Sequence, residues 1–322
     1  MAVVIVTYNS GREIGPCLDA LAAFDDLEIV VVDNASSDST RAEVELRQER
    51  NSALASHVRL LANSTNAGFA GAVNQGVRAT RAPLVLLLNP DAHVQRGIHV
   101  LASRFEDPRI GAAGGLLLSP DGAPQTGFFA RRLPTPAALV FEVLGINKVW
   151  PRNPVNWHYR CLDLDPMREQ FVEQPAGAFL MFRRAAWENL SGFDERFWPV
   201  WFEDVDFCAR LRIAGWSVCY EPNARAIHRG AHSIRRLPVE KSRLYWYRSL
   251  LGYAGKYFRP AVFRVLCLAV LAGAFGRSLA GVGRGGPRNI AIYAGVCRLA
   301  WQRLFSPLPD ERLLLSDVRR EI

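Results

Sequence analysis

The sequence predicts an α/β fold built on a mixed, mainly parallel sheet flanked by helices. Three observations carry that prediction. Leu84-Val85-Leu86-Leu87-Leu88 is a run of five branched aliphatics, the pattern of a strand covered on both faces. It stops at Asn89-Pro90-Asp91, where Pro90 lacks the N–H that would continue the ladder and two polar side chains are left at the carboxyl end of the strand. That is where open α/β sheets bind their ligands. Upstream, Val-rich runs alternate with helical segments, the signature of right-handed βαβ units over residues 1–110.

Taken in order, residues 2–7 form the first strand and 11–24 the first helix, with Ile14, Leu18 and Leu21 at helical spacing. Residues 28–32 are a second buried strand, followed by a polar loop from Asp33 that caps a helix beginning near Thr40. Residues 58–61 make a third, short strand, and the stretch from Asn66 to Ala79 turns through Gly68 and Gly71 into a helix ahead of the central strand. After Gly114-Gly115 the alternation lapses. Residues 119–124 are a turn, and 130–170, rich in Pro, Arg and Trp, reads as a long, partly mobile loop region. Regularity returns with a strand at 178–182, helices at 184–190 and 205–214, and short edge strands at 217–220 and 225–228.

A chain of 322 residues can bury one large core or two smaller ones. The first strand starts at residue 2 with no basic residue before it and reaches Asn9 too soon for a secretory apolar core, so the expectation is a cytoplasmic chain. Six scattered cysteines without a C-x-x-C pair suit reduced thiols and give neither a zinc site nor a disulfide frame. The net charge of +8 is unevenly spread. Eleven Lys or Arg and no Asp or Glu lie between Lys241 and Pro309, while the remainder holds more acid than base.

Three polar clusters end strands of the one sheet: Thr7-Tyr8-Asn9, Asp33-Asn34 and Asn89 to Asp91. They should therefore converge on one crevice. Asp91 beside a diphosphate would hold Mg²⁺ or Mn²⁺, whose ligands are oxygens shared with phosphates; read alone, Asn-Pro-Asp is equally a turn. Asp33 could accept hydrogen bonds from a ribose or base, or simply cap a helix. Asn66 and Asn74 bracket a Gly-rich bend whose backbone could approach a ligand, though turn and helix-surface roles fit as well. No G-x-G-x-x-G follows the first strand and no G-x-x-x-x-G-K-[ST] occurs, which disfavours dinucleotide and P-loop chemistry.

A second acidic group, Glu203-Asp204-Val205-Asp206, sits at a predicted helix start, where exposed N–H groups favour and orient a carboxylate. Asp204, with Glu203 beside it, is the candidate general base for an acceptor hydroxyl; the alternative is an ordinary helix cap. Trp198 and Trp201 crowd round it and suit a sugar ring, or core packing. His228 becomes a metal ligand if a metal lies nearby, with His232 a weaker second.

Read together and in order, Val-Thr-Tyr-Asn, Val-Val-Asp-Asn-Ala-Ser-Ser-Asp-Ser-Thr, Asn-Ala-Gly-Phe-Ala-Gly-Ala-Val-Asn-Gln-Gly, Leu-Leu-Asn-Pro-Asp and Phe-Glu-Asp-Val-Asp-Phe resemble the inverting glycosyltransferases of family 2, which have the GT-A fold. The likeness covers residues 2–235 and is greatest to the rhamnosyltransferase-like branch. It implies that Thr7, Tyr8 and Asn9 line a nucleotide pocket, that Asp33 holds the base or ribose, and that Asn66, Asn74 and Asn89 border the same pocket. It further implies Asp91 and His228 on a divalent metal and Asp204 as catalytic base. Asn89 stands where the family's Asp-x-Asp motif has its first Asp, one anionic ligand fewer. The implied reaction moves a sugar, L-rhamnose by this branch, from a dTDP- or UDP-linked donor to a cell-surface glycan or a polyprenyl-diphosphate-linked acceptor. A membrane-peripheral scaffold with a degenerate site is the alternative.

Residues 1–240 are thus the expected catalytic domain and 241–322 a basic, apolar, helical extension. Val265 to Gly276 gives twelve uncharged residues, fewer than the roughly 20 a spanning helix needs. A helix lying on an anionic membrane surface at the inner face of the cell membrane fits better, with packing on the catalytic domain as the alternative. Leu, Ala and Val between the charges argue against nucleic acid.

Overall fold

The structure is a computed structural model and describes residues 1–24, 26–230, 238–282 and 286–305. Four strands in the first third are parallel: β1 (Ala2–Thr7), β2 (Glu28–Asp33), β3 (Val58–Ala62) and β4 (Leu84–Leu88). Helices α1 (Ile14–Leu21), α2 (Thr40–Arg50), α3 (Ser52–His57) and α4 (Gly68–Arg78) connect them. Every residue of β1 is buried, as its unbroken aliphatic pattern requires.

The chain then departs from the βαβ pattern. β5 (Ala92–Arg96), α5 (Ile98–Ser103) and β6 (Ile110–Leu118) follow, and neither strand stands out in the sequence. Gly114-Gly115, where regularity was expected to lapse, lies inside β6, all nine of whose residues are buried. The glycines admit close neighbours: a Cβ on Gly114 would lie 2.2 Å from Pro175 Cβ, and one on Gly115 2.2 Å from Phe179 Cε1.

The expected loop region at 130–170 is largely folded. It contains β7 (Ala130–Arg131), α6 (Pro136–Leu144), α7 (Ile146–Val149), α8 (Pro154–Tyr159) and β8 (Gln170–Phe171). Its prolines are start signals, since Pro136 follows the Thr135 cap and Pro154 the Asn153 cap, whose side chains accept from Ala138 N and Asn156 N. Next come β9 (Gln174–Pro175), β10 (Phe179–Arg183), α9 (Arg184–Asn189), α10 (Glu203–Ile213) and β11 (Ser217–His228).

The main sheet has the order β3-β2-β1-β4-β10-β6-β11-β5, with β8 also on β11. β10 runs antiparallel to both β4 and β6, so the sheet is mixed, as expected. The two edge strands expected at 217–228 are one twelve-residue strand lying between β6 and β5. Pro222 is tolerated there because the register against β6 jumps from Glu221 to Arg225, a bulge that needs no N–H.

Three helices close the described chain: α11 (Val239–Tyr257), α12 (Pro260–Val282) and α13 (Gly286–Phe305). They form a second core with α6 and α10, in which Leu139 and Val143 of α6, Phe197, Phe202 and Cys208 pack with Leu250, Tyr253, Leu266 and Val270. Gly273 of α12 brings the helices together so closely that a Cβ there would meet Val143 O at 2.1 Å. Pro260–Leu279 is long and apolar enough to cross a bilayer, longer than the twelve-residue stretch had indicated, and one third of it is buried against the protein.

Candidate active site

The carboxyl ends of β1 and β2 are tied to each other. Thr7 Oγ1 donates to Asp33 Oδ1 at 3.1 Å, and Asp33 Oδ2 accepts from Arg41 Nε at 2.6 Å and Ser36 N at 3.2 Å. Thr7 and Asp33 have no exposed surface. Both were expected on the nucleotide; both are fully buried, and three internal donors already hold the Asp33 carboxylate. Tyr8 and Asn9 are half-buried at the strand tip, where Asn9 adopts φ 53° and its N donates to Ser36 Oγ. Asn66 is half-buried, its Oδ1 accepting from Asn34 Nδ2 and Gly68 N.

Asn74 corrects an expectation. It is 1% exposed, and its amide is consumed by Phe193 and its neighbours: Nδ2 donates to Phe193 O and Glu195 Oε1, while Oδ1 accepts from Phe193 N and Trp187 Nε1. It clamps the 193–195 loop to α4 and offers nothing to a nucleotide.

At the end of β4, Asp91 Oδ1 lies 3.5 Å from His228 Nε2, and both residues are buried. Gln125 fixes that ring. Its Nε2 donates to His228 O at 2.6 Å, so Oε1, 3.0 Å from His228 Nδ1, accepts the ring proton and leaves the Nε2 lone pair facing the carboxylate. Phe128 stacks on the ring at 5.2 Å. Asp91 Oδ1 and His228 Nε2 present an oxygen and a nitrogen donor to one gap, so the pair fits a divalent metal. Among the described residues no cluster of three or more His, Cys, Asp or Glu occurs, which leaves further coordination to phosphate oxygens and water. His232 lies outside the described residues.

Asp204 enters α10 through a bend in which Trp201 and Phe202 hold φ of 77° and 70°. Such left-handed geometry in bulky residues costs about 1–3 kcal/mol each and aims the helix start inward. Asp204 Oδ2 accepts from Gly177 N at 3.0 Å and Gln174 Nε2 at 3.1 Å. Burial nevertheless outweighs these bonds and the nearby Arg131 charge, raising its pKa above the usual aspartate value. Glu203 is 5% exposed with Oε2 unpartnered, and burial and the Asp204 charge push its pKa well up.

Asp204, Glu203, Asn89, Trp201, Phe128 and Arg131 line one cavity of about 410 Å³. Asn89 is two residues before Asp91 and Phe128 stacks on His228, so the cavity borders the Asp91–His228 pair, although neither of those two residues lines it. Trp198 lies outside this lining and covers Gly68, with Nε1 donating to Asn66 O. Gln125, Phe128, Arg131 and Gln174 did not stand out in the sequence; only the turn before Gln125 signals that the chain doubles back.

The family model for glycosyl transferase family 2 matches residues 2–188, more than half of the chain. The chain belongs to glycosyltransferase family 2. A second model, the N-terminal domain of galactosyltransferase, matches residues 165–242 of this glycosyltransferase. It is 35% identical over 257 residues to an N-acetylglucosaminyl-diphospho-decaprenol L-rhamnosyltransferase of Mycobacterium tuberculosis, covering 74% of this chain and 79% of that one. To the rhamnosyltransferase WbbL of Escherichia coli it is 28% identical, over 47% of this chain and 54% of the other. Among solved structures it resembles the mannosyltransferase PcManGT from Pyrobaculum calidifontis in complex with GDP-Man and Mn²⁺, with a TM-score of 0.53 and 20% identity over 93% of this chain and 80% of that one. S. aureus TarS 1-349 in complex with UDP-GlcNAc gives a TM-score of 0.53 and 16% identity over 99% and 84%. These structures establish the GT-A fold of the enzyme.

Proposed function

We propose that this family 2 enzyme is an inverting, divalent-metal-assisted transferase that moves L-rhamnose from a dTDP- or UDP-linked donor to a hydroxyl of a polyprenyl-diphosphate-linked sugar. The likeness to the mycobacterial L-rhamnosyltransferase supports the donor sugar and the acceptor class. The observation that carries the chemistry is Asp204, held in one orientation by Gly177 and Gln174 and lining a cavity that borders the Asp91–His228 pair through Asn89 and Phe128. Its oxygens take the proton from the acceptor hydroxyl as that oxygen attacks the anomeric carbon from the face opposite the leaving diphosphate, and configuration inverts. Burial and the Asp204 charge push the Glu203 pKa well up, which disfavours a second negative charge beside the base. A cation held by Asp91 and His228 would offset the charge building on the diphosphate. Tyr8 and Asn9, half-buried at the tip of β1, are the proposed nucleotide contacts, and Arg131, near Asp204, adds positive charge to the cleft.

Residues 1–240 supply this chemistry, and the helices beyond them, with exposed Val265, Leu268, Phe275 and Leu279 on α12, are proposed to rest on the anionic inner face of the cell membrane where a lipid-linked acceptor is met. Release of nucleoside diphosphate by wild type and by Asp204→Asn tests the reading. The variant should lose at least about a thousandfold in kcat with the donor KM retained. Because the base works only when ionised and its pKa is raised, activity should fall as pH drops through a value above the usual aspartate pKa. Equal release by the two proteins would sink the proposal.

A further inference from the structure

A second hollow adjoins the active-site cleft and shares Glu142, Trp201 and Trp246 with it. It measures about 530 Å³ and lies between α6–α7 and the three C-terminal helices. Its charge is one-sided. Lys148, Arg243 and Arg277 line it, and the one lining carboxylate, Glu142, is already engaged by Asn147 Nδ2 at 2.8 Å and Arg160 at 3.5 Å. Arg277 spends two of its five N–H groups on Val143 O and Glu142 O, which anchors the guanidinium in the wall. Lys148 and Arg243 have no carboxylate partner among the described residues. Tyr247 adds a phenol that burial keeps protonated.

From this arrangement, and resting on the function proposed above, we propose that the hollow binds the diphosphate of the lipid-linked acceptor. A sugar whose hydroxyl faces Asp204 has its opposite end directed past Trp201 and Trp246 into the hollow. A diphosphate carries two or more negative charges, and arginine forks match phosphate oxygens while lysine adds a point charge. The isoprenoid chain leaves over Leu144, Val149 and Trp150, apolar side chains next to Lys148 in sequence and 41%, 90% and 57% exposed. The hollow thus selects for diphosphate-linked acceptors over free glycans.

The test uses the full chain and Lys148→Ala/Arg243→Ala, both surface positions whose loss leaves the core intact. Rates are compared for a polyprenyl-diphosphate-linked sugar and for the uncharged O-alkyl glycoside of that sugar. The ratio of the two kcat/KM values should fall at least tenfold in the double variant, through KM for the diphosphate acceptor. An unchanged ratio overturns the proposal. Calorimetric titration with farnesyl diphosphate, the donor site being saturated with nucleoside diphosphate, reads the hollow without turnover. Affinity tenfold or more weaker in the variant supports it, and equal affinity overturns it. If wild type glycosylates neither acceptor, the transfer reading fails, and the titration still decides whether the hollow binds a diphosphate.

Discussion

The proposed donor side and the proposed acceptor side of this enzyme are built in different ways. On the donor side the polar residues come in short sequence runs at the ends of β1, β2 and β4, and Asp33 is held mostly from nearby, by Ser36 and Arg41 in the turn and helix that follow it, with Thr7 joining from β1. On the acceptor side Asp204 depends on Gly177 and Gln174, some thirty residues earlier, and α10 is bolted from below by α11. There Lys256 lies 2.8 Å from Asp194 and 2.7 Å from Asp206, Tyr257 donates to Asp206 at 2.7 Å, and Arg210 pairs with the same carboxylate. A local site tolerates damage to its surroundings, whereas one assembled from distant segments does not.

Lys256→Met tests that contrast hardest. It leaves two buried carboxylates short of a cation and should cost about 3 kcal/mol of stability, read as a lower denaturant midpoint. Burial alone would raise the Asp194 pKa, but bonds from Arg196 and Lys256 hold it well below the usual range. Its contribution is therefore present above the ordinary carboxylate pKa and lost as pH falls toward the depressed value, and in Lys256→Met that loss should be smaller and complete at a higher pH. The matching change on the donor side, Arg41→Ala, should cost about 1 kcal/mol, since Arg41 is 42% exposed and Thr7 and Ser36 still satisfy Asp33. Equal losses would erase the distinction.

A smaller effect is expected from Gln125→Ala, which frees the His228 ring. The Mn²⁺ concentration for half-maximal activity should rise about 10- to 100-fold with kcat at saturating metal nearly kept. No change would mean that the ring is oriented by Phe128 stacking alone. The least disruptive change is Leu268→Glu/Phe275→Glu on the outer face of α12, which should shift stability by less than about 0.5 kcal/mol yet abolish sedimentation with anionic vesicles. Sedimentation equal to wild type would leave α12 as a packing element only.

This contrast also explains what was legible in the sequence. β1, β2 and β4 were readable because a strand buried on both faces writes an unbroken aliphatic run, and Asp91 because Pro90 ends that run. Asp33 and Asn74 were readable as polar residues near the crevice, but no pattern records that Arg41 or Phe193 already takes their hydrogen bonds. β6 escaped because Gly and Ala replace the usual aliphatics where Pro175 and Phe179 press on it. The helices within 130–170 escaped because their prolines, read as breakers, are first-turn residues behind Thr135 and Asn153. Asp204 announced itself only through its helix start, while Gln125, Arg131 and Gln174 act across folds of the chain that local periodicity cannot encode.

The Lys256 bridge sets where the gene can be cut for chimeras. A crossover near residue 240, the natural seam in charge and hydropathy, would graft foreign helices onto Asp194 and Asp206 and strand both acids. Exchanging 130–305 as one cassette keeps lock and key from the same parent, and acceptor preference should travel with it while donor preference stays behind.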